Sequence, residues 1–102
     1  MGRIPMEKRL YYMEIHIVFK RQMPGRELGE LDTRRKIKTI IDQYLEKKHL
    51  ACELLVVQPD KINLKVVVED PMKLAKEVEK RIILYANVES VHYTELALHL
   101  IK

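Results

Sequence analysis

The sequence predicts one α+β domain, in which a four-stranded antiparallel sheet carries two helices on one of its faces. Strand-like and helix-like segments follow each other in the order strand, helix, strand, strand, helix, strand. Each helical segment is long enough to cross a sheet, and 102 residues suffice for one modest core. With right-handed crossovers this order is the ferredoxin-like βαββαβ fold, whose two central strands are the first and the third.

The first strand is predicted from Leu10 to Arg21, after a flexible basic tail over residues 1–9, so that residues 10–102 form the domain. Its residues alternate between an apolar face and a mixed face. The apolar face consists of Tyr11, Met13, Ile15, Ile17 and Phe19, and the mixed face of Tyr12, Glu14, His16, Val18 and Lys20. The apolar face is expected to meet the helices, which leaves the mixed face open to solvent or to a partner.

The first helix is predicted over Thr33–Lys48, after a loop with the turn signal Pro24-Gly25, and Asp32 or Thr33 would cap it. Apolar residues at helical spacing form its buried stripe, namely Ile37, Ile40, Ile41, Tyr44 and Leu45. Cations at positions 34, 35, 36 and 38 would crowd the first turns, where they oppose the helix dipole. This placement indicates either a functional site or a solvated face that packing tolerates.

A central hairpin is predicted next, with two buried strands, Glu53–Gln58 and Ile62–Glu69, joined by the turn Pro59-Asp60-Lys61. Cys52, the single cysteine, is expected to be a small core residue at the start of the first of these strands. In the second strand, Asn63, Lys65 and Val67 would face away from the helices.

The second helix is predicted to begin at Asp70-Pro71, because Asp is a good N-cap and Pro suits the first helical position. It would run to about Ala86, with Asn87 as a left-handed stop. The segment from residue 88 to residue 101 fits either a strand or a helix, and we favour a strand. An apolar edge strand is a liability when unpaired, so this strand would join a second copy in a homodimer.

In this fold the outward residues of the two central strands lie side by side. We call this uncovered side of the sheet the open face, with Tyr12, Glu14 and His16 on the first strand and Asn63 on the third. It is the first candidate for a functional surface. RNA-binding sheets stack bases on aromatic residues of both central strands, and here Tyr12 and His16 supply such rings on one strand alone.

Basic residues form a candidate nucleic-acid footprint on a chain with a net charge of +4. They are Lys20, Arg21, Arg26, Arg34, Arg35, Lys36, Lys38, Lys61 and Lys65. Phosphate contacts of this kind give salt-sensitive binding of low sequence specificity to DNA or RNA. The alternative is a general surface charge that keeps the protein in solution.

Two segments resemble the small single-tyrosine transposases of insertion sequences, which carry a His-hydrophobic-His motif. The run His16-Ile17-Val18-Phe19-Lys20-Arg21 is similar to the first-strand signature of that family. The run from Val57 to Leu64, VQPDKINL, is similar to the segment that carries its two metal-binding histidines. The resemblance covers roughly residues 10–85, and it implies the same ferredoxin-like fold and an association with DNA.

The chain departs from this family at the residues that perform its chemistry. The two histidines of the motif are replaced by Lys61 and Asn63, and a protonated lysine repels a cation rather than binding it. The family's nucleophilic tyrosine lies on a further helix, beyond the matched region. Tyr85 and Tyr93 are present, but neither has a metal site to serve it. The resemblance therefore implies either a catalytically inactive relative or a shared fold.

Other functional classes find little support in the sequence. The four histidines lack metal-ligand spacing, there is no Gly-rich phosphate loop, and Ser90 is the one serine, so neither a metal nor a cofactor is expected. No apolar run is long enough for a membrane span, and a single cysteine favours a cytoplasmic location. Abundant Lys, Glu, Ile and Val, with no Trp, resemble thermophile usage.

The sequence thus predicts a non-enzymatic, dimeric, nucleic-acid-associated protein. The first alternative is a protein-interaction or regulatory module that uses the open face or the last strand. The second alternative is an enzyme with a site on the open face around Glu14 and His16.

Overall fold

The structure, a computed structural model, describes residues 7–20 and 30–96 and has the predicted ferredoxin-like βαββαβ arrangement. Its elements are β1 (Arg9–Phe19), α1 (Glu30–Lys47), β2 (Cys52–Val57), β3 (Lys61–Val68), α2 (Pro71–Ile82) and β4 (Ala86–Leu96). The strands form one sheet in the order β2-β3-β1-β4, and every neighbouring pair is antiparallel. As predicted, β1 and β3 are central, so β2 and β4 form the two edges.

The core lies between the helices and one face of the sheet. Met13 and Ile15 of β1 are fully buried, as are Ile62 and Leu64 of β3, because alternate residues of both strands point toward the helices. The helices contribute their apolar stripes to the same cluster, namely Ile37, Ile41, Leu45, Leu74, Ala75, Val78 and Ile82. The other face of the sheet is covered by neither α1 nor α2, as the alternation in the sequence predicted.

The first helix begins earlier than the sequence predicted. It starts at Glu30, so Asp32 and Thr33 lie inside its first turn and do not precede it as caps. Arg34 and the cations that follow therefore lie beyond the first turn, and Asp32 supplies the negative charge that the helix dipole favours there. The predicted conflict between cations and dipole is therefore much reduced. The predicted turn at Pro24-Gly25 lies outside the described residues.

The prediction that both hairpin strands are buried is wrong for β2. Leu54 and Val56 lie opposite Lys65 and Asn63 on the open face and are 36% and 40% exposed, whereas Val57 faces the helices and is buried. Cys52 is exposed as well and is not the predicted core residue. The hairpin turn is confirmed, although Lys61 belongs to β3, and the Gln58 amide donates to the Lys61 carbonyl oxygen at 2.8 Å across it.

The start of α2 is as predicted, and its end is not. Asp70 is the N-cap, its carboxylate accepts a hydrogen bond from the Lys73 amide at 3.1 Å, and Pro71 is the first helical residue. The helix ends at Ile82, and Asn87 lies in β4 opposite Val18 and does not stop the helix.

The last segment is a strand at the sheet edge as far as Leu96, as favoured from its sequence. The rest of it, residues 97–101, lies outside the described residues, as does most of the predicted basic tail, residues 1–6. Arg9, assigned to the tail, is the first residue of β1. Within the described ranges, no helix is long and apolar enough to cross a membrane.

Candidate functional site

Strand register decides which side chains meet on the open face. On the central strands, Tyr12 lies opposite Lys65, Glu14 opposite Asn63 and His16 opposite Lys61. Each of these residues points away from the helices, because its neighbours on the strand belong to the core. The sequence placed Tyr12, Glu14, His16 and Asn63 on this face, and the register brings the four together with the two lysines.

At one end the open face is apolar. Leu10 is opposite both Val67 of β3 and Leu96 of β4, and it is 8% exposed although neither α1 nor α2 covers this side of the sheet. Tyr12 follows as the next residue on the same face of β1, with Lys65 on one side and Thr94 on the other. The open face therefore changes along β1 from an apolar end, through a tyrosine beside a cation, to a charged region.

The charged region is organised around Glu14. Its Oε1 atom lies 3.5 Å from Lys61 Nζ and 3.7 Å from His16 Nε2. The three side chains are each about one-third exposed, so solvent screens these contacts and their contribution to stability is small. We call Glu14, His16, Lys61, Asn63 and His92 the polar cluster. Within the polar cluster, the Glu14 carboxylate pairs with Lys61, the nearest lysine.

His92 is the member of the polar cluster that sequence reasoning missed. It lies opposite Glu14 on β4, and its ring meets the His16 ring edge to face, with centroids 5.4 Å apart and planes at 88°. The alternation of β4 alone could not reveal this, because a one-residue change of register would move His92 to the other face. A register shift between His16 and Ile17 in the β1–β4 pairing made that assignment harder still.

Asn63 contributes an acceptor that lacks a partner. Its Oδ1 atom is buried and makes no hydrogen bond to the described part of the chain, although the side chain as a whole is only half-buried. Buried carbonyl oxygens normally accept a hydrogen bond, so this atom is a place for water or for a ligand donor on the open face. Lys61 and Asn63 leave β3 on the same face.

Neither of the two tyrosines weighed as nucleophiles belongs to the polar cluster. Tyr93 lies opposite Met13 on the helix side of the sheet, and its ring packs edge to face on Tyr11 at 5.7 Å. Tyr85 lies in the turn after α2 and lines a groove against α1. Both rings are thus separated from Lys61 and Asn63 by the sheet. In the described residues, no group of three or more His, Cys, Asp or Glu side chains could hold a metal ion.

The fold divides the predicted nucleic-acid footprint between the two sides of the sheet. Lys61 and Lys65 are on the open face, and Lys20 follows the end of β1, where its amide donates to the Tyr85 carbonyl oxygen at 2.9 Å. Among the described residues Lys65 has no ion-pair partner, whereas Lys61 is engaged by Glu14. Arg21 and Arg26 lie outside the described residues.

The other predicted basic residues belong to α1, in the helical layer. Arg35 and Lys36 line a groove of about 570 Å³ with Asp32. Lys38 pairs with Asp42 at 3.0 Å, one helical turn away. Arg34 is half-buried, and its Nε atom has no hydrogen-bond partner in the described ranges. These side chains cannot contact the same stretch of ligand as Lys65, because the sheet and its core lie between them.

No protein-family model matches the chain, and no curated protein sequence matches it either. The geometry of the open face is therefore the basis for proposing a function.

Proposed function

We propose that the protein binds nucleic acid without enzymatic activity, and that the open face is its binding surface. One observation carries this proposal. On the two central strands a lysine lies beside an aromatic ring twice, Lys65 opposite Tyr12 and Lys61 opposite His16. Lysines contact phosphates, and aromatic rings stack on bases, so each of these two pairs offers both contacts that a nucleotide presents.

The spacing of the lysines suits a polyanion. Lys65 lies four positions after Lys61 on β3, which places their Cα atoms roughly 14 Å apart. Each nucleic-acid strand carries a charge about every 3.4 Å along a duplex. The two lysines therefore reach different phosphates of one strand. Glu14 and Asn63 lie between them and would face the sugar and base edges of a ligand that runs along β3.

The resemblance to single-tyrosine transposases is compatible with this proposal if the chain lacks the catalytic chemistry of that family. Lys61 and Asn63 stand at the positions of the metal-binding histidines, and the sheet separates Tyr85 and Tyr93 from them. We therefore propose an inactive relative, which keeps nucleic-acid binding and lacks strand cleavage. The proposed activity, together with the free thiol of Cys52, favours a location in the cytoplasm.

Fluorescence anisotropy with labelled single- and double-stranded oligonucleotides tests the proposal. Two lysine contacts alone give a negative slope of log Kobs against log salt concentration, with a magnitude of at least about 1.4. Binding should therefore weaken at least about sevenfold between 50 and 200 mM salt. Replacing Arg35 and Lys36 together by Gln, on the helical side of the sheet, is expected to leave the binding in place. Absence of binding at 50 mM salt would refute the proposed function.

A second candidate function is protein interaction through β4, and the length of this strand favours the role. β4 is an edge strand of 11 residues, and Tyr93 on its helix side is 45% exposed. Long edges with exposed apolar side chains pair readily with another strand. Light scattering would give twice the 12.1 kDa chain mass for a homodimer through β4, and Tyr93→Lys would return the monomer. A monomer at high protein concentration would exclude the homodimer.

A further inference from the structure

His16 and His92 form a pair on the open face that the phosphate contacts of Lys61 and Lys65 do not use. The two rings come from neighbouring strands, with their centroids 5.4 Å apart and their planes at 88°. Both side chains are accessible, and that of His16 is 36% exposed. Histidine is the side chain whose charge ordinarily changes between pH 5 and 8, so this pair places a variable charge on the proposed binding surface.

Charged groups lie around the pair on each of the neighbouring strands. On β1 these are Glu14, which is 3.7 Å from His16 Nε2, and Lys20 beyond the strand end. On β3 the neighbour is Lys61, and in the turn before it Asp60, whose carbonyl oxygen accepts from the Ile17 amide at 2.9 Å. On β4, Glu89 lies at the register shift beside Ser90, the residue opposite His16.

The geometry accommodates one protonated ring in the pair. A protonated imidazole at His16 is attracted to the Glu14 carboxylate. The rings of His16 and His92 are perpendicular, so a protonated ring can also lie against its neutral partner in a cation–π contact. Two protonated imidazoles at this separation would repel each other. The carboxylate that engages Lys61 near neutral pH would then be shared with an imidazolium, which leaves Lys61 freer to contact a phosphate.

We infer that His16 and His92 are a proton-dependent phosphate subsite of the open face, so that nucleic-acid binding is coupled to proton uptake. This inference rests on the proposed function. The ligand group is a phosphodiester oxygen, which accepts from the protonated imidazole and from Lys61 on the adjacent strand. Coupling to one proton makes affinity rise as the pH falls, by roughly tenfold between pH 7.5 and 5.5.

The test is fluorescence anisotropy of a labelled oligonucleotide at 100 mM salt, in steps from pH 7.5 to 5.5. The chain with intact histidines is expected to gain about tenfold in affinity. The double variant His16→Gln with His92→Gln keeps polar side chains on the surface but lacks the His16 ring, so it is expected to bind more weakly than the original chain at every pH and to show little dependence on pH. His49→Asn is the matched control, because His49 lies after α1 on the helical side with φ 55°, where Asn is well tolerated.

The outcomes separate the inference from the proposed function. Binding that depends on salt but not on pH, or a pH dependence that survives in the double variant, would overturn the subsite and leave the open face as a binding surface. A loss of pH dependence in His49→Asn would overturn it as well. A chain that binds oligonucleotide at neither pH would overturn both. Histidine Cε1 proton resonances give an independent readout, since those of His16 and His92 should shift with oligonucleotide at pH 5.5 and that of His49 should not.

Discussion

Replacing Lys61 and Lys65 together by Gln tests whether the open face contacts phosphates. Both side chains lie on the uncovered side of β3, and their separation of roughly 14 Å means that each reaches its own phosphate. Each contact contributes about −0.7 to the salt slope for single strands and about −0.9 for duplex DNA. The double variant should therefore lower the magnitude of the slope by about 1.4 to 1.8.

Anisotropy titrations between 50 and 200 mM salt measure this slope. A reduction of 1.4 to 1.8 corresponds to about a seven- to twelvefold smaller loss of affinity over that range. The matched control is Arg35→Gln with Lys36→Gln, which removes the same charge from the helical layer. Equal slopes for the original chain and the Lys61 and Lys65 double variant would refute the phosphate-contact argument. Equal reductions in both double variants would show that net charge, and not the open face, governs binding.

Three further predictions concern single residues. Glu14→Gln removes the carboxylate 3.5 Å from Lys61 Nζ and should strengthen oligonucleotide binding about two- to fivefold at 50 mM salt, an effect of the size of a partly exposed ion pair; weaker binding would contradict it. Asp70→Ala deletes the N-cap of α2 and should cost about 1 kcal/mol, which lowers Tm by about 4–8 °C in a thermal melt monitored by circular dichroism. Desolvation raises the pKa of the Cys52 thiol, so the pH profile of its alkylation by iodoacetamide should lie at higher pH than in the urea-unfolded chain; coincident profiles would contradict this.

Alternation and one capping signal were enough to predict most of the fold. The two faces of β1 differ clearly in residue type. Asp70-Pro71 marks the start of α2, where the Asp70 carboxylate accepts a hydrogen bond from the Lys73 amide. The prediction of burial was wrong for β2, although β2 has as many apolar residues as a buried strand. Its exposed apolar residues, Leu54 and Val56, lie opposite Lys65 and Asn63 on the open face, and the face that a residue occupies depends on a register that a local pattern does not contain.

Helix ends were predicted less well, because several residues could serve as caps. Asp32 and Thr33 are good N-cap residues, but α1 begins at Glu30 and includes both. Asn87 is a good helix stop, but α2 ends at Ile82 and Asn87 pairs with Val18 in β4. In both places a favourable residue type lies within a few residues of the boundary, so residue type alone does not locate it.

The candidate site was predicted in part. Tyr12, Glu14, His16 and Asn63 follow from the parity of the two central strands, which the structure confirms. His92 required the register of β4, a long-range property that depends on the turn after α2 and on the shift beside Ile17. The sequence also does not show which basic residues share a side of the sheet. It therefore predicts one footprint, although the sheet separates the basic residues of α1 from Lys61 and Lys65.

Amide chemical-shift mapping with an oligonucleotide is the most direct test of the open face as the binding surface. Titration of isotopically labelled protein at 50 mM salt should shift the amide resonances of residues 12–16 and 61–67 and leave those of α2 in place. Shifts concentrated in residues 33–38 of α1, or no shifts at all, would contradict the account.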